Sequence, residues 1–313
     1  MKKFLFKRLV QFIVVLFVAS VIIFAMVRLS DVDPISVILG GKQTSAETIQ
    51  NLRVKFNLDK PVLQQYFSWV SGMIRGDFGI GYKYQQPVAQ LMAARLPITF
   101  GLVFMGSLIA LVLAIPMGII SALKKNTPLD TSFSVLSLIL VSCPSFLTSI
   151  IIIMILGKVA PSFPITGNYS TLGEYVQRLS LPSLALAFSM IALAARVTRS
   201  GMIEQLQANY VQTATAKGLS LTNIVISHAL KNAIIPLIAV ISIQIGNMIV
   251  GAVLVENVFS LAGLGSLLVA SIKSSDYAVI QGITMLLVFV FLLISTLVDI
   301  LYAVIDPRIR SSL

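Results

Sequence analysis

Long apolar stretches, almost free of charge, constrain this chain more than any other feature. They cover residues 9–27, 98–123, 131–156, 181–195, 234–255 and 279–304. A helix needs about 20 consecutive apolar residues to cross the hydrocarbon core of a bilayer. The stretches are continuous, whereas the strands of a membrane barrel alternate apolar and polar positions. Composition agrees: 57% of the residues are apolar and only 11% charged, against roughly 25% charged in soluble domains. The expected fold class is all-α, a polytopic membrane protein with six transmembrane helices.

The formal charge of +11 would point to nucleic acid in a soluble protein. Here the basic residues are scattered, with no interleaved aromatic platform, so no nucleic-acid partner is expected; cytoplasmic loops of membrane proteins collect Lys and Arg. Starting from an inside N-terminus, alternation places Lys2, Lys3, Lys7, Arg8, Lys124, Lys125, Arg196, Arg199, Lys217, Lys231, Arg308 and Arg310 inside. The two short outer loops hold only Lys158, Arg178 and Lys273. Both termini are therefore expected in the cytoplasm. The first stretch is longer than a signal peptide's apolar region and lacks a clear small-residue cleavage site, so it reads as an uncleaved span. A single cysteine, Cys143, excludes an intramolecular disulfide and any CxxC pair; it reads as a small packing residue inside the third span.

Three parts follow: residues 1–29, the first span; residues 30–97, an extracytoplasmic domain; and residues 98–313, a five-span core with a cytoplasmic loop at 200–233. The second part carries Asp31, Asp33, Glu47, Asp59, Asp77, the only Trp (Trp69) and the turn signals Asp33-Pro34, Gly40-Gly41 and GDFGIG at 76–81. Thr44 with Glu47 fits a capping box ahead of a helix whose Ile49, Leu52 and Phe56 share one face. The domain is expected to be small and mostly helical.

No catalytic constellation is visible. GxxxxGK[ST], HExxH and GxSxG are absent and His228 is the only histidine, so neither a P-loop nor a zinc site is expected. Asp299 is the one clear carboxylate toward the end of a span; a structural role near the inner surface outweighs ion coupling. A stand-alone secondary transporter or channel, which would need several such groups or repeated halves, is the rival from another class.

The most informative polar segment runs from Asn209 to Pro236, NYVQTATAKGLSLTNIVISHALKNAIIP. Leu206, Tyr210 and Ala214 recur every four residues and predict a helix ending before Gly218, which fits a C′ position. Ser220 fits the N-cap of a second helix bearing His228 and Asn232. On the residues alone, a docking element and a plain connector are equally good readings.

This segment resembles the coupling-loop signature of binding-protein-dependent ABC importer permeases, in the variant of the dipeptide, oligopeptide and nickel subfamily. The match rests on Tyr210, Thr213, Ala214, Ala216, Lys217, Gly218, Leu219, Ser220, His228, Leu230, Lys231, Asn232 and Pro236; Gln212-Thr213-Ala214 replaces the superfamily's Glu-Ala-Ala. Further motifs follow in order. Glu256, Phe259, Gly263 and Gly265 resemble the family's Glu-x-x-Phe and Pro-Gly-Leu-Gly turn, with Ala262 for Pro. Asp299, Asp306, Pro307 and Arg308 resemble its closing Asp…Asp-Pro-Arg. DVDP and GDFGIG stand where Pro-Gly-Asp-Pro and Gly-Asp-x-Gly-x-Ser are common, and the layout is that of the first (B-type) subunit.

The resemblance implies a type I permease fold, without catalysis, in a bacterial or archaeal cell membrane. It implies half of a translocation path for peptides, with nickel or a metal–chelator complex as the alternative cargo. The implied partners are a homologous second permease, two ATPase subunits that bind ATP and Mg, and an extracytoplasmic substrate-binding protein. No cofactor is expected in this chain. The residues from Tyr210 to Ser220, with His228 and Asn232, would couple to the ATPase.

Overall fold

The computed structural model describes residues 2–29, 33–39, 44–159 and 171–305. Twelve helices are assigned among them: α1 (Lys2–Arg28), α2 (Pro34–Leu39), α3 (Ala46–Lys55), α4 (Val62–Ile74), α5 (Val88–Leu123), α6 (Pro128–Ser142), α7 (Ser145–Val159), α8 (Leu172–Leu206), α9 (Asn209–Ala216), α10 (Leu221–Val258), α11 (Leu264–Lys273) and α12 (Tyr277–Ile305). One isolated bridge, Ile80 to Pro87, is the only β pairing among the described residues. Five helices, α1, α5, α8, α10 and α12, are long and apolar enough to cross a membrane, and the pair α6–α7 supplies a sixth crossing if it counts as one.

That pair corrects the reading of the third span as one continuous helix. Its halves are bent by 106°. The residue before a proline is pushed out of the helical region by the pyrrolidine ring, and Cys143, ahead of Pro144, sits at φ −91°, ψ 116°. Cys143 is thus the half-buried corner between α6 and α7, and not merely a packing residue.

The fourth span is also longer than expected. Arg196 and Arg199 do not close it; α8 continues to Leu206, where Gln207 caps it, and carries Pro182 inside. The capping box shifts by one residue. Ser45, not Thr44, is the N-cap of α3 and accepts the Thr48 N–H, while Ile49, Leu52 and Phe56 are half-buried. The second long helix starts at Val88, ten residues ahead of the apolar stretch read as its beginning. A short helix, α11, fills what reads in the sequence as a plain outer loop. The loop carrying Pro161, Pro164 and Gly167 lies outside the described residues, as do Asp31, Gly40, Gly41, Asp306, Pro307 and Arg308.

The chain divides into two compact units. One comprises the described residues within 1–5, 100–261 and 294–313. Its organising element is α8, which packs most extensively on α10 and then on α6 and α7. The buried side of α8 is small: Ala185, Ala187, Ala192, Ala194 and Ala195 line it with Leu186, Met190 and Met202. Lipid tails are as apolar as leucine, so helices in bilayers associate through close packing of small residues. Gly118 of α5 shows the principle, since a Cβ there would lie 2.6 Å from Thr198 Cβ and 2.7 Å from the Ala195 carbonyl.

Two carboxylates organise the units separately. In the first unit Asp130 is 4% exposed. It receives Arg199 Nε at 2.6 Å and Nη2 at 2.8 Å, the Asn126 N–H at 3.0 Å, and the Ser121 hydroxyl. This bidentate pair ties the first turn of α6 to α8 and satisfies a charge that apolar surroundings would otherwise reject.

The other unit comprises residues 6–99 and 262–293. Its core gathers Val88, Met92, Leu264, Leu267, Val279 and Ile283. Asp276, fully buried, caps α12 and also accepts the Tyr82 and Lys83 N–H groups, each at 2.9 Å. The GDFGIG loop is held down by this contact: a Cβ on Gly81 would come within 3.2 Å of Asp276 Oδ2 and 3.0 Å of Val279 Cγ2, so any side chain there requires these neighbours to give by a few tenths of an ångström. Thr99 accepts the Leu264 N–H at 2.8 Å and so caps α11, whose N-cap, Gly263, has no side chain to do so. Burial, and more weakly Asp276 and Tyr277, push the Tyr82 phenol above its ordinary value, with Arg28 pulling part of the way back.

Candidate functional site

The segment singled out in the sequence forms a short helix, a tight turn and a second helix. α9 spans only eight residues, Asn209–Ala216, too few to be stable alone. Its stop is built into the backbone. Gly218 has φ +81°; its N–H reaches the Thr215 carbonyl at 2.9 Å, and the Leu219 N–H reaches the Ala214 carbonyl at 3.2 Å. This is the Schellman pattern, which a glycine at C′ adopts without a Cβ penalty. Ser220 then caps α10 by accepting the Asn223 N–H. The C′ glycine and the N-cap serine fall where the sequence places them.

The face of α9 differs from the expected one. Leu206 belongs to α8, and Tyr210 is 37% exposed. The packed residues are Val211 and Ala214, which join Ile224, with Leu219 against them. The offset arises because Gln207 and Ala208 interrupt the helix, so the four-residue period does not run through.

Ile224–Ala229 is π-helical, a feature the sequence does not signal. Its effect is geometric. Consecutive residues serve two cores: Ile224 packs with α9, while Val225 and Ala229 pack with Ala122, Met202 and Ala233. α9 is thus braced against the membrane-embedded helices, and π turns of this kind often occur at functional positions. His228 lies in the π segment and is exposed.

Two motif residues far apart in sequence meet. Asn232 Nδ2 donates to the Tyr210 hydroxyl at 3.4 Å, and that hydroxyl donates to Gln205 Oε1 at 2.9 Å. Tyr210 therefore links the end of α8, the start of α9 and the part of α10 just beyond its π segment. Thr213, Ala216, Lys217, Gly218 and Ser220 are exposed around the turn. Chemically the arrangement is a small, stiff, solvent-facing knob on the ends of two long apolar helices, with no nucleophile–base pair among its residues.

The remaining motif residues are placed elsewhere. Glu256 and Phe259 are fully buried at the end of α10, where Ser260 takes φ +54° and the Leu261 N–H returns to the Glu256 carbonyl at 2.8 Å. Gly263 and Gly265 open α11. Asp299 is half-buried in α12. Asp130 and Asp276 escaped the sequence reading because single carboxylates near helix starts carry no spacing signal; their partners lie 69 and about 194 residues away.

Comparison with known proteins fixes the class. Residues 114–311 match the family described as binding-protein-dependent transport system inner membrane component, and residues 1–103 match its companion N-terminal family. The chain belongs to this family: it is a permease subunit of a multi-pass membrane transporter, not a catalytic enzyme. Components of this kind work with a substrate-binding protein and with ATPase subunits. Among its relatives, a putative peptide transport system permease protein of Brucella abortus is 35% identical over 99% of each chain. The dipeptide transport system permease protein DppB of Lactococcus lactis is 35% identical over 99% of this chain and 100% of its own. The glutathione transport system permease protein GsiC of Escherichia coli is 34% identical over 99% of each.

Proposed function

We propose that this chain forms half of the translocation path of an ABC importer for peptides and that α9 is the element through which ATP hydrolysis drives it. The observation that carries the reading is the α9 turn. A helix stopped by Gly218, pinned by Tyr210 and Asn232 and braced by the π segment can transmit force as a rigid body, with Thr213, Ala216 and Lys217 free to meet a partner. A second, homologous permease would complete the path, and two ATPase subunits would hold ATP and Mg. Both termini and α9 would face the cytoplasm. The extracytoplasmic segment, residues 30–97, would help receive the substrate-binding protein. Peptide is favoured as cargo because the relatives named above carry peptide, dipeptide or glutathione in their names.

Cross-linking tests the coupling role. In a Cys143→Ser background, an Ala216→Cys variant should form an adduct with an ATPase subunit in the assembled importer, and its yield should change when nucleotide is added. An adduct yield no higher than that of a Lys60→Cys control would refute the assignment. For the cargo, cells expressing the complete system should accumulate labelled dipeptide but not nickel; the reverse result would replace peptide by metal.

A further inference from the structure

α1, α4 and α12 line two open cavities at successive levels, the second completed by the end of α3 and the 77–82 loop, and their walls differ in chemistry. The first, about 550 Å³, is almost entirely apolar: Phe17 of α1, Val70 and Met73 of α4, and Met285 and Phe289 of α12 line it, with Ser20 and Tyr66 hydrogen-bonded to each other at one end. The second, about 300 Å³, continues toward the C-terminal end of α1 and is the more polar of the two, with Phe24 and Phe56 also in its wall; Phe78 borders both. Arg28, Lys55, Trp69 and Gln281 stand in its wall.

The polar cavity is built around donors. Arg28 Nε, Trp69 Nε1 and Gln281 Nε2 are buried and have no hydrogen-bond partner among the described residues. Gln281 is 7% exposed as a residue, on a helix otherwise apolar at this level. Arg28 does use Nη2, which donates to Gln65, and stacks 5.0 Å over the Phe24 ring. The one carboxylate in this wall, Asp77, accepts the Gly79 N–H. An unpaired buried donor is unfavourable, and the residues that carry these three, from three helices, line one space. A group with several acceptor oxygens and negative charge would satisfy them together, with the guanidinium and the Lys55 ammonium supplying charge complementarity.

Donors and basic groups at one level, with an apolar space directly below between the same helices, match an amphipathic molecule with an anionic head. Free phosphate would leave the apolar half unexplained, and a hydrocarbon would leave the donors unpaired. We infer that α1, α4 and α12 form a binding site for a single phospholipid, its phosphate among Arg28, Trp69 and Gln281 and one acyl chain along Phe17, Met73 and Phe289. The inference needs the chain to lie in a membrane with α4 sunk against α1, so that residues 62–74 of the segment read as extracytoplasmic sit within the bilayer; it stands apart from the choice of cargo. Such a lipid would act as a packing part of α1, whose apolar length is mostly uncovered by the rest of the chain.

The test uses the full chain in its assembled complex, purified in detergent and stripped of lipid, then titrated with 1-palmitoyl-2-oleoyl-phosphatidylglycerol in mixed micelles and followed by native mass spectrometry. One lipid should bind saturably. Gln281→Leu, which removes a donor at similar volume, and Met73→Trp, which fills the chain cavity, should each weaken it roughly tenfold or more. Gln281→Glu should weaken it further by repulsion. Diacylglycerol with the same chains should bind much more weakly, and inorganic phosphate should not displace the lipid. Assembly with the ATPase subunits, checked by gel filtration, reports folding; where Met73→Trp fails that check, Met285→Phe replaces it. Equal lipid retention in the wild type and both classes of variant would overturn the inference. Phosphate binding without lipid binding would overturn it as well.

Discussion

Single residues decide two features here, for different physical reasons. At Gly218 a Cβ would meet nothing within 4 Å, so a substitution is resisted by φ +81° and not by crowding. An L residue in this left-handed region loses roughly 1–2 kcal/mol, and a β-branched one loses more. Gly218→Ala should therefore retain much of the uptake, while Gly218→Val should abolish uptake at an unchanged membrane level; transport assays with immunoblots of membranes would compare them, and full transport by the valine variant would contradict the lever. Asp276 is the opposite case, defined by what it touches. Asp276→Ala strands the Tyr82 and Lys83 N–H groups and should cost about 3 kcal/mol, seen as a lower melting temperature and faster proteolysis within 76–86. Asp276→Asn keeps one acceptor oxygen and should fall between.

At the scale of elements, the α6–α8 junction and the broken span matter most. Removing one partner of a buried ion pair leaves the other uncompensated, at roughly 3–5 kcal/mol. Asp130→Asn should approach the lower end of that range because the Arg199 side chain is 30% exposed. The double change Asp130→Leu with Arg199→Met should cost less than the two single changes together, measured as a double-mutant cycle of thermal stability in detergent. The bend at Cys143 has a legible cause, since Pro144 restricts its neighbour, yet an apolar run from 131 to 156 reads as one helix until the backbone turns. Similarly, the caps at Gly218 and Ser220 were legible because each is a local pattern of residue type and backbone angle. The π turn at Ile224–Ala229 was not, because it arises from two packing clusters competing for adjacent side chains.

For the whole molecule, the charge distribution makes a prediction about sides. In a Cys143→Ser background, a Lys217→Cys variant should resist a membrane-impermeant maleimide in intact cells, whereas a Lys60→Cys variant should react. The opposite pattern would invert the topology derived from the Lys and Arg bias.

The chain by itself determined its class: apolar runs of bilayer length leave helices as the only way to satisfy the backbone in lipid, and the ordered motifs from Tyr210 to Phe259 gave its kinship. Local chemistry also determined where α9 stops. Only the tertiary structure decided which carboxylates are buried, which face of α9 packs, that the third span breaks, and that Arg28, Trp69 and Gln281 share one cavity. The reason is physical. Hydropathy and capping act over a few residues and can be read along the chain, whereas pairing of Asp130 with Arg199, or of Asp276 with a loop about 194 residues away, depends on how distant helices meet.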